Sequence, residues 1–513
     1  MILKELLSEL KFEQVSDNID LGREVTSLVY DSRKLSEGCV FVAIVGAKFD
    51  GHSCAEDAHK AGAALIVTEH ETDCDNTAPV IRVKNTREAL ALLSAAWFGF
   101  PARKLTTIAI TGTKGKSTTA YMVRGSLENL GIKTGIMGTI GVGIGDRVYK
   151  TNNTTPESYL VQQYLRQMVD EGCKALVMEV SSQALKQYRV AGIMYDYALY
   201  TNLEPDHIGE NEHASFEEYM YCKSLLFRQC RVAIGNLDDA HFDDVVRGCA
   251  QAPSDFEKAE PVTCRILTYG CSENSDYSAK DITLLGSGGE IGIGYELCCP
   301  DSSTAPMKLS IPGRFNVFNS LAAASVAAEI AGSSKENCAK ISEALYKVHV
   351  LGRLEPRRIS DRFSLMIDYA HNAMALESLL KTLLEYSPKR LVCLFGCGGN
   401  RSKERRYEMG EVSASLADLT VVTSDNPRFE KPMDIIADIL IGIKKGSKEY
   451  VTIPDRREAI RYVIENAQDG DVIVLAGKGQ EDYQEIEGVK YHMDEREIID
   501  EIVKDLLSTR GYI

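Results

Sequence analysis

Nowhere does this 513-residue chain contain the roughly 18 consecutive apolar residues that a membrane-spanning helix needs, so no membrane insertion is expected. Positive charge is also scarce. With 58 Lys and Arg against 74 Asp and Glu, the formal charge is −16. That excess of acid argues against a nucleic-acid partner, because nothing would neutralise phosphates over a large face. Any anion must be held by local devices working against an unfavourable overall field. Cysteines at metal-binding spacing are missing as well, though Cys298 and Cys299 are adjacent. The 14 cysteines show no C-x-x-C spacing and no histidine at metal-ligand spacing. They are expected as reduced, mostly buried thiols of a cytoplasmic protein, with a zinc site or disulfide framework as the minor alternative. The amino-terminal MILKELLSELKFEQ has acids within an amphipathic pattern and is expected to be a helix, not a signal peptide. No internal repeat is visible.

What is present is an ordinary soluble composition, 44% hydrophobic and 26% charged, in a chain too long for one core. Two to four domains are expected, and three blocks emerge. Residues 1–102 interleave short β-like runs (Cys39–Val45, Ala63–Val67, Val80–Val83) with helical patterns and close at Gly99-Phe100-Pro101-Ala102. Residues 103–350 open with the strand Leu105–Ile110 and include a Gly/Ser-rich patch, about 264–310, that predicts an antiparallel insertion. Residues 351–513 alternate apolar runs (Leu365–Ile367, Leu391–Phe395, Leu419–Val422, Val472–Ala476) with helical stretches such as Ala375–Leu384. That alternation predicts a parallel sheet with crossover helices, so the fold class is α/β throughout.

Ligands of such sheets sit beyond the carboxyl ends of the strands. Four polar clusters fall there: DYAHN (368–372), GCGGNRSKERR (396–406), SDNPR (424–428) and GKGQED (477–482). Alone, SDNPR reads as a polar turn around a proline with a solvated arginine. Four such ends on one sheet edge read as a pocket.

AITGTKGKSTT (109–119) directly follows a strand and opens a helix. Its glycine turn lets backbone N–H groups close around phosphates, which the helix N-terminus also favours. Lys116 would reach the β- and γ-phosphates and Ser117 would bind Mg²⁺. The fit to G-x-x-x-x-G-K-[ST] is imperfect, since Ile110 stands where the first glycine belongs. Glu179 ends an apolar run in VMEVSSQAL, where a buried carboxylate needs a cation or hydrogen bonds. Mg²⁺ takes oxygen ligands, so Glu179 suits it; His207, in TNLEPDHIGENEH, is by itself more simply a structural histidine.

TGTKGKST, NNTTPES (152–158), MEVSS, TNLEPDH, GRFNVFNSLAA (313–323), LGRLE (351–355) and IDYAHN (367–372) together resemble the Mur ligases. These are ATP-dependent amide-forming enzymes of bacterial cell-wall precursor synthesis. The resemblance runs in order through essentially the whole chain. It implies an N-terminal uridine-nucleotide-binding domain (1–102), a central P-loop ATPase-like domain (103–350) and a C-terminal Rossmann-like amino-acid domain (351–513). YDSRKLSEGCVFVAIVGAKFDGH (30–52) and DNPR are similar to the member that adds the third residue of the peptide stem, with meso-diaminopimelate as the incoming amine.

The resemblance also implies roles. ATP and Mg²⁺ are the cofactors, with an acyl-phosphate intermediate on UDP-N-acetylmuramoyl-L-alanyl-D-glutamate. Lys116, Glu179, His207 and Lys223 would be the catalytic set. Ser117, Glu179, His207 and a carbamylated Lys223 would serve the metal. ATP would be held by Thr111, Gly112, Thr113, Lys114, Gly115, Lys116, Ser117 and Thr118, with Asn316 and Asn319 at adenine and Arg353 and Asp368 at ribose and phosphate. Tyr30, Ser32, Ala47, Lys48 and Phe49 match uridine contacts, and Thr154, Thr155, Ser181, Gln187 and Arg189 the muramoyl-dipeptide contacts. Arg406, Asp425, Asn426, Pro427, Arg428, Gly477 and Glu481 match the diaminopimelate contacts. A monomer is expected. Two positions depart from the family: Gln183 and Gln480 stand where histidine is usual. The competing expectations are L-lysine or another diamino acid as the amine, a folylpolyglutamate synthase, and a non-catalytic nucleotide-binding scaffold.

Overall fold

A strand buried on both faces reads as an unbroken apolar run, and the runs Leu391–Phe395, Leu419–Val422 and Val472–Ala476 lie in such strands. A computed structural model describes residues 1–46, 49–75, 77–209, 212–254, 256, 259–287, 290–446 and 448–510. It separates into two compact units, Met1–Asp276 and Tyr277–Ile513.

The first unit opens with a five-stranded sheet in the order Glu13–Gln14, Val80–Arg82, Leu65–Thr68, Cys39–Val42, Ser27–Val29. All its pairings are parallel except the first. The amphipathic amino-terminal pattern yields a helix only at Leu3–Leu6, a single turn with Leu3 and Leu6 buried. The second sheet of this unit runs Arg265–Gly270, Cys230–Asn236, Tyr195–Tyr200, Thr106–Thr111, Ala175–Glu179, Thr134–Gly138, Gly141–Ile144, Arg147–Tyr149. Its first six strands are parallel and the last two continue as an antiparallel meander. Thr106–Thr111 therefore lies between Ala175–Glu179 and Tyr195–Tyr200. The loops leaving those three carboxyl ends are neighbours, which is what brings Ser117 to Glu179.

The second unit begins with an antiparallel meander, Tyr277–Ser287, Glu290–Cys298 and Thr304–Leu309. The antiparallel insertion expected over 264–310 thus starts at Tyr277, because Arg265–Gly270 pairs parallel to Cys230–Asn236. Helices Phe315–Ala331 and Lys335–Lys347 follow. The final sheet runs Glu355–Pro356, Ser364–Asp368, Asp471–Ala476, Arg390–Phe395, Leu419–Val422, Glu449–Thr452, parallel after the first pair. Leu365, Ile367, Val392, Leu394, Val421, Ile473 and Leu475 share its apolar core with Ile460, Ile499 and Ile502 of the covering helices. Helix Ala373–Leu384 starts where it does because the Asn372 side chain accepts from the N–H of Ala375. A hairpin, Tyr483–Ile486 with Val489–His492, follows the last core strand. Among the described residues no helix is long and apolar enough to cross a membrane.

Candidate active site

In the first unit, Thr111-Gly112-Thr113-Lys114-Gly115 joins the central strand to helix Lys116–Asn129. Gly115 opens that helix in the left-handed region, φ +83°, which glycine adopts without strain. Gly112 sits at φ +150°, and a Cβ there would lie 1.9 Å from Thr201 Oγ1. Only glycine fits. The loop is cross-braced by the neighbouring strand end: Thr113 N donates to Asn202 O, Lys114 N to Asn202 Oδ1, and Thr201 Oγ1 to Lys114 O. Lys114 Nζ pairs with Glu204. Thr118 is buried in the first turn of the helix.

Lys116 Nζ folds back onto the carbonyls of Gly112 and Thr113, 2.9 Å each. Lys223 Nζ, on helix Phe216–Ser224, donates to the same Gly112 carbonyl at 2.9 Å and lies over the Tyr219 ring. Burial, and then the nearby Lys116 ammonium, push the Lys223 amine well below its ordinary range. Ser117 Oγ donates to Glu179 Oε2 at 2.9 Å. Glu179 is 1% exposed, and its carboxylate also accepts from Thr139 N and Thr139 Oγ1. All those donors are neutral. A buried carboxylate held so, beside a serine hydroxyl at a glycine-rich helix N-terminus, is the oxygen donor set that suits a Mg²⁺ ion. His207 is exposed in a loop at φ +54° and bonds Glu212 through Nδ1. It is not in hydrogen-bond contact with Glu179 or Lys223.

The dipeptide candidates gather beside Glu179. Thr155 Oγ1 donates to the Glu179 carbonyl and accepts from Ser181 N; Ser181 Oγ caps helix Ser182–Lys186. Thr154 Oγ1 lies 3.0 Å from Thr139 Oγ1. Arg189 donates to Thr155 O and Gln187 Oε1 and pairs with Glu157. Gln183 accepts from Gln187 Nε2, while its own Nε2 is buried without a hydrogen-bond partner. Tyr30 packs near Tyr159, Ser32 begins a short 3₁₀ turn, and Phe49 is exposed. Ala47 and Lys48 lie outside the described residues.

In the second unit the buried Asn316 and Asn319 are joined, Asn319 Nδ2 donating to Asn316 Oδ1 at 2.9 Å. The Arg353 guanidinium lies over the Tyr369 ring. Asp368 accepts from the N–H groups of Leu354 and Ala370, and burial pushes its carboxyl upward.

The four polar strand ends of the final sheet do come together. Gly477 N donates to Asp368 O, and Gly399 N to Asn426 O. Asn426, 4% exposed, donates to Glu481 Oε2 and accepts from Lys478 Nζ and Glu485 N. A Cβ on Gly477 would sit 3.0 Å from Asp425 Oδ2, and Gly477 takes φ +109°. Arg428, at φ +52°, donates through Nε to Glu485 Oε2 (3.1 Å) and through Nη1 to Gly399 O (2.7 Å). Its Nη2 has no hydrogen-bond partner among the described residues. Arg406 is different. At 1% exposed it pairs with Glu430 and Asp438 through Nη1 and Nη2, 2.7–2.9 Å away, while its Nε is buried without a hydrogen-bond partner. Gln480 leaves its Oε1 buried and unpartnered.

Lys478, Glu485, Glu430 and Thr139 were not singled out by sequence. Lys478 lies inside GKGQED and was within reach; Glu430, Glu485 and Thr139 had no local signal. A separate cavity of about 1000 Å³, walled by Leu285, Lys308, Tyr346 and Met366 among others, holds none of the expected residues.

Three family models match the chain in order: Mur ligase family, catalytic domain (24–98); Mur ligase middle domain (110–327); and Mur ligase, glutamate ligase domain (352–479). The UDP-N-acetylmuramoyl-L-alanyl-D-glutamate--2,6-diaminopimelate ligase of Clostridium perfringens is 37% identical over 506 residues, 98% of this chain and 100% of that protein. The chain belongs to the Mur ligase family. The same-named ligase of Geobacillus kaustophilus is 40% identical over 484 residues, 94% of this chain and 95% of its own length. A solved structure of a ligase of that name superposes with a TM-score of 0.73 at 30% identity, covering 98% of this Mur ligase and 99% of the other chain.

Proposed function

We propose that this Mur ligase joins meso-2,6-diaminopimelate to UDP-N-acetylmuramoyl-L-alanyl-D-glutamate at the expense of ATP, in peptidoglycan precursor synthesis. Full-length relatives of that name at 37–40% identity support the reading. The observation that carries the choice of amine is Arg428. Diaminopimelate differs from lysine by a second amino-acid centre at its far end, so an enzyme that selects it must read one extra carboxylate. A planar guanidinium donates paired hydrogen bonds to a carboxylate, and Arg428 keeps Nη2 without a partner among the described residues while Glu485 and Gly399 hold Nε and Nη1.

ATP transfers its terminal phosphoryl group to the free carboxylate of the dipeptide, the amine attacks the resulting acyl phosphate, and inorganic phosphate leaves. Such chemistry needs charge neutralisation and positioning more than covalent help. Lys116 and the N–H groups of residues 111–118 would hold the phosphates. Ser117, Glu179 and His207 would hold Mg²⁺, which supplies charge neutralisation when bound. Asn316 and Asn319 would contact adenine, and Arg353 and Asp368 ribose and phosphate. Tyr30, Ser32 and residues 47–49 would take uridine, and Thr154, Thr155, Ser181, Gln187 and Arg189 the muramoyl dipeptide. Asp425, Asn426, Pro427, Arg428, Gly477, Glu481 and Arg406 would form the amine site, Arg406 acting through Glu430.

Lys223 fits carbamylation. CO₂ adds to a neutral amine, and burial favours that form of Lys223; the carbamate would turn a buried cation into a carboxylate-like ligand. The three-domain division at residues 102 and 350, a monomeric state and a cytoplasmic location complete the proposal.

Phosphate release with the nucleotide dipeptide and a panel of amines tests it. Diaminopimelate is expected to support turnover and lysine to fall short by orders of magnitude, since lysine leaves the far-end groups unpaired. Equal use of lysine overturns the choice of amine. No release with any amine would leave a nucleotide-binding scaffold.

A further inference from the structure

Beneath the loops of the amine site lies a guanidinium that hydrogen-bonds none of the assigned residues' side chains. Arg456 begins helix Arg456–Glu465 and is fully buried against Glu495, the first residue of helix Glu495–Arg510; both side chains are 0% exposed. Three of its nitrogens reach three different segments. Nε donates to Glu495 Oε1 at 2.8 Å, Nη1 to the carbonyl of Ser424 at 3.2 Å, and Nη2 to the carbonyl of Ala476 at 2.9 Å.

Those carbonyls immediately precede the two loops of the site. Ser424 leads into Asp425-Asn426-Pro427-Arg428, and Ala476 into Gly477. Their strands, Leu419–Val422 and Asp471–Ala476, are not paired with each other, because Arg390–Phe395 runs between them. No ladder hydrogen bond therefore fixes one loop against the other; besides the side-chain bonds of Asn426 to Glu481 and Lys478, what ties them lies beneath. The rigid fork of Arg456 spans the gap. Gly396, at the end of the intervening strand, lets the first loop lie close against it: a Cβ there would lie 2.5 Å from Thr423 O and 2.9 Å from Asp425 N.

Stability alone is a poor reason for this pair. Taking two charges out of water offsets most of their attraction, and Glu495 Oε2 is buried without a hydrogen-bond partner. We infer that Arg456, anchored by Glu495, is a positioning residue that sets the spacing between Asn426–Arg428 and Gly477–Glu481 for the incoming diamino acid. The inference rests on the reading of those loops as the amine site. The neighbouring Arg496 makes a similar tie, donating to Gly479 O and pairing with Glu355.

The test is steady-state kinetics of the full enzyme with each substrate varied in turn, beside thermal melts. Arg456→Lys keeps the charge for Glu495 but loses the fork. It is expected to raise the KM for diaminopimelate about tenfold, with the KM for ATP and for the nucleotide dipeptide within about twofold, as a misplaced binding group predicts. Glu495→Gln, which keeps an acceptor for Nε, is expected to move the same KM by a smaller factor. The inference is overturned if Arg456→Lys leaves the diaminopimelate KM unchanged or raises all three KM values together. If that variant does not fold, Glu495→Gln decides by the same criterion. Arg428→Ala, run in parallel, separates the two failures: if it too leaves the diaminopimelate KM unmoved, the reading of the loops fails, and not only the role of Arg456.

Discussion

The Nζ atoms of Lys116 and Lys223 lie on one acceptor, each 2.9 Å from the carbonyl oxygen of Gly112. Lys116, at a glycine-rich turn and a helix N-terminus, makes a locally anion-attracting spot in a protein of net charge −16. Lys116→Ala is expected to abolish ATP turnover while circular dichroism and the thermal midpoint stay close to wild type. Retention of more than a few per cent of the activity would refute the phosphate role.

Lys223 should separate activity from stability. Its amine is buried and forced toward the neutral form, so an apolar chain of similar length removes a desolvation cost. Lys223→Met is expected to lose activity and to melt no lower than wild type in CO₂-depleted buffer. Short carboxylates added to Lys223→Ala should restore part of the rate, and ¹³C-bicarbonate should give the wild type a carbamate carbon signal. Full wild-type activity without CO₂ counts against carbamylation.

Gly112 is required by space and by backbone. A Cβ would meet Thr201 Oγ1 at 1.9 Å, so Gly112→Ala must displace either the loop or the end of strand Tyr195–Tyr200. Nucleotide affinity measured by calorimetry should fall at least as far as for Lys116→Ala, with a lowered thermal midpoint. Normal affinity would show that the loop does not close around phosphate.

Arg406 should read out chiefly as stability. It neutralises Glu430 and Asp438 from a buried position, and removing one partner of a buried pair costs on the order of 3–5 kcal/mol. Arg406→Ala is expected to lower the unfolding free energy, measured by denaturant titration, by that amount. Arg406 also holds the Glu430 carboxyl down at about 2. The folded value is depressed, so this stability is full above the ordinary 4.5 and is lost as pH falls from there toward about 2. The variant should show a flatter acid limb; an unchanged acid limb would mean that the ion pair contributes nothing.

His213 sets a second pH window. Buried, it bonds Glu218 through Nδ1 and Ser182 through Nε2, near Lys186, Lys223 and the Tyr219 ring. Burial lowers its basicity despite Glu218. The unfolded chain therefore binds the proton first, and stability falls as pH drops below the ordinary 6.5. His213→Gln should flatten melting temperature against pH below the ordinary 6.5. An unaltered slope would assign that loss to other groups.

Sequence alone determined what local spacing can encode. Apolar runs bounded by glycine and polar turns marked the strands Thr106–Thr111, Arg390–Phe395, Leu419–Val422 and Asp471–Ala476 to within a residue or so, because a strand buried on both faces tolerates little else. The glycine turn before Lys116 and Ser117 was legible because its residues are contiguous. The amino-terminal amphipathic pattern extends beyond the helix it encodes, because the chain turns after Leu6. Only tertiary structure decided which charges meet. Glu430 lies 24 residues from Arg406, Glu485 lies 57 from Arg428, and Glu495 lies 39 from Arg456. No periodicity links such positions. Their pairing follows from strand order, which brings the ends of distant segments to one edge of a sheet, and from the cost of leaving any buried charge there without a partner.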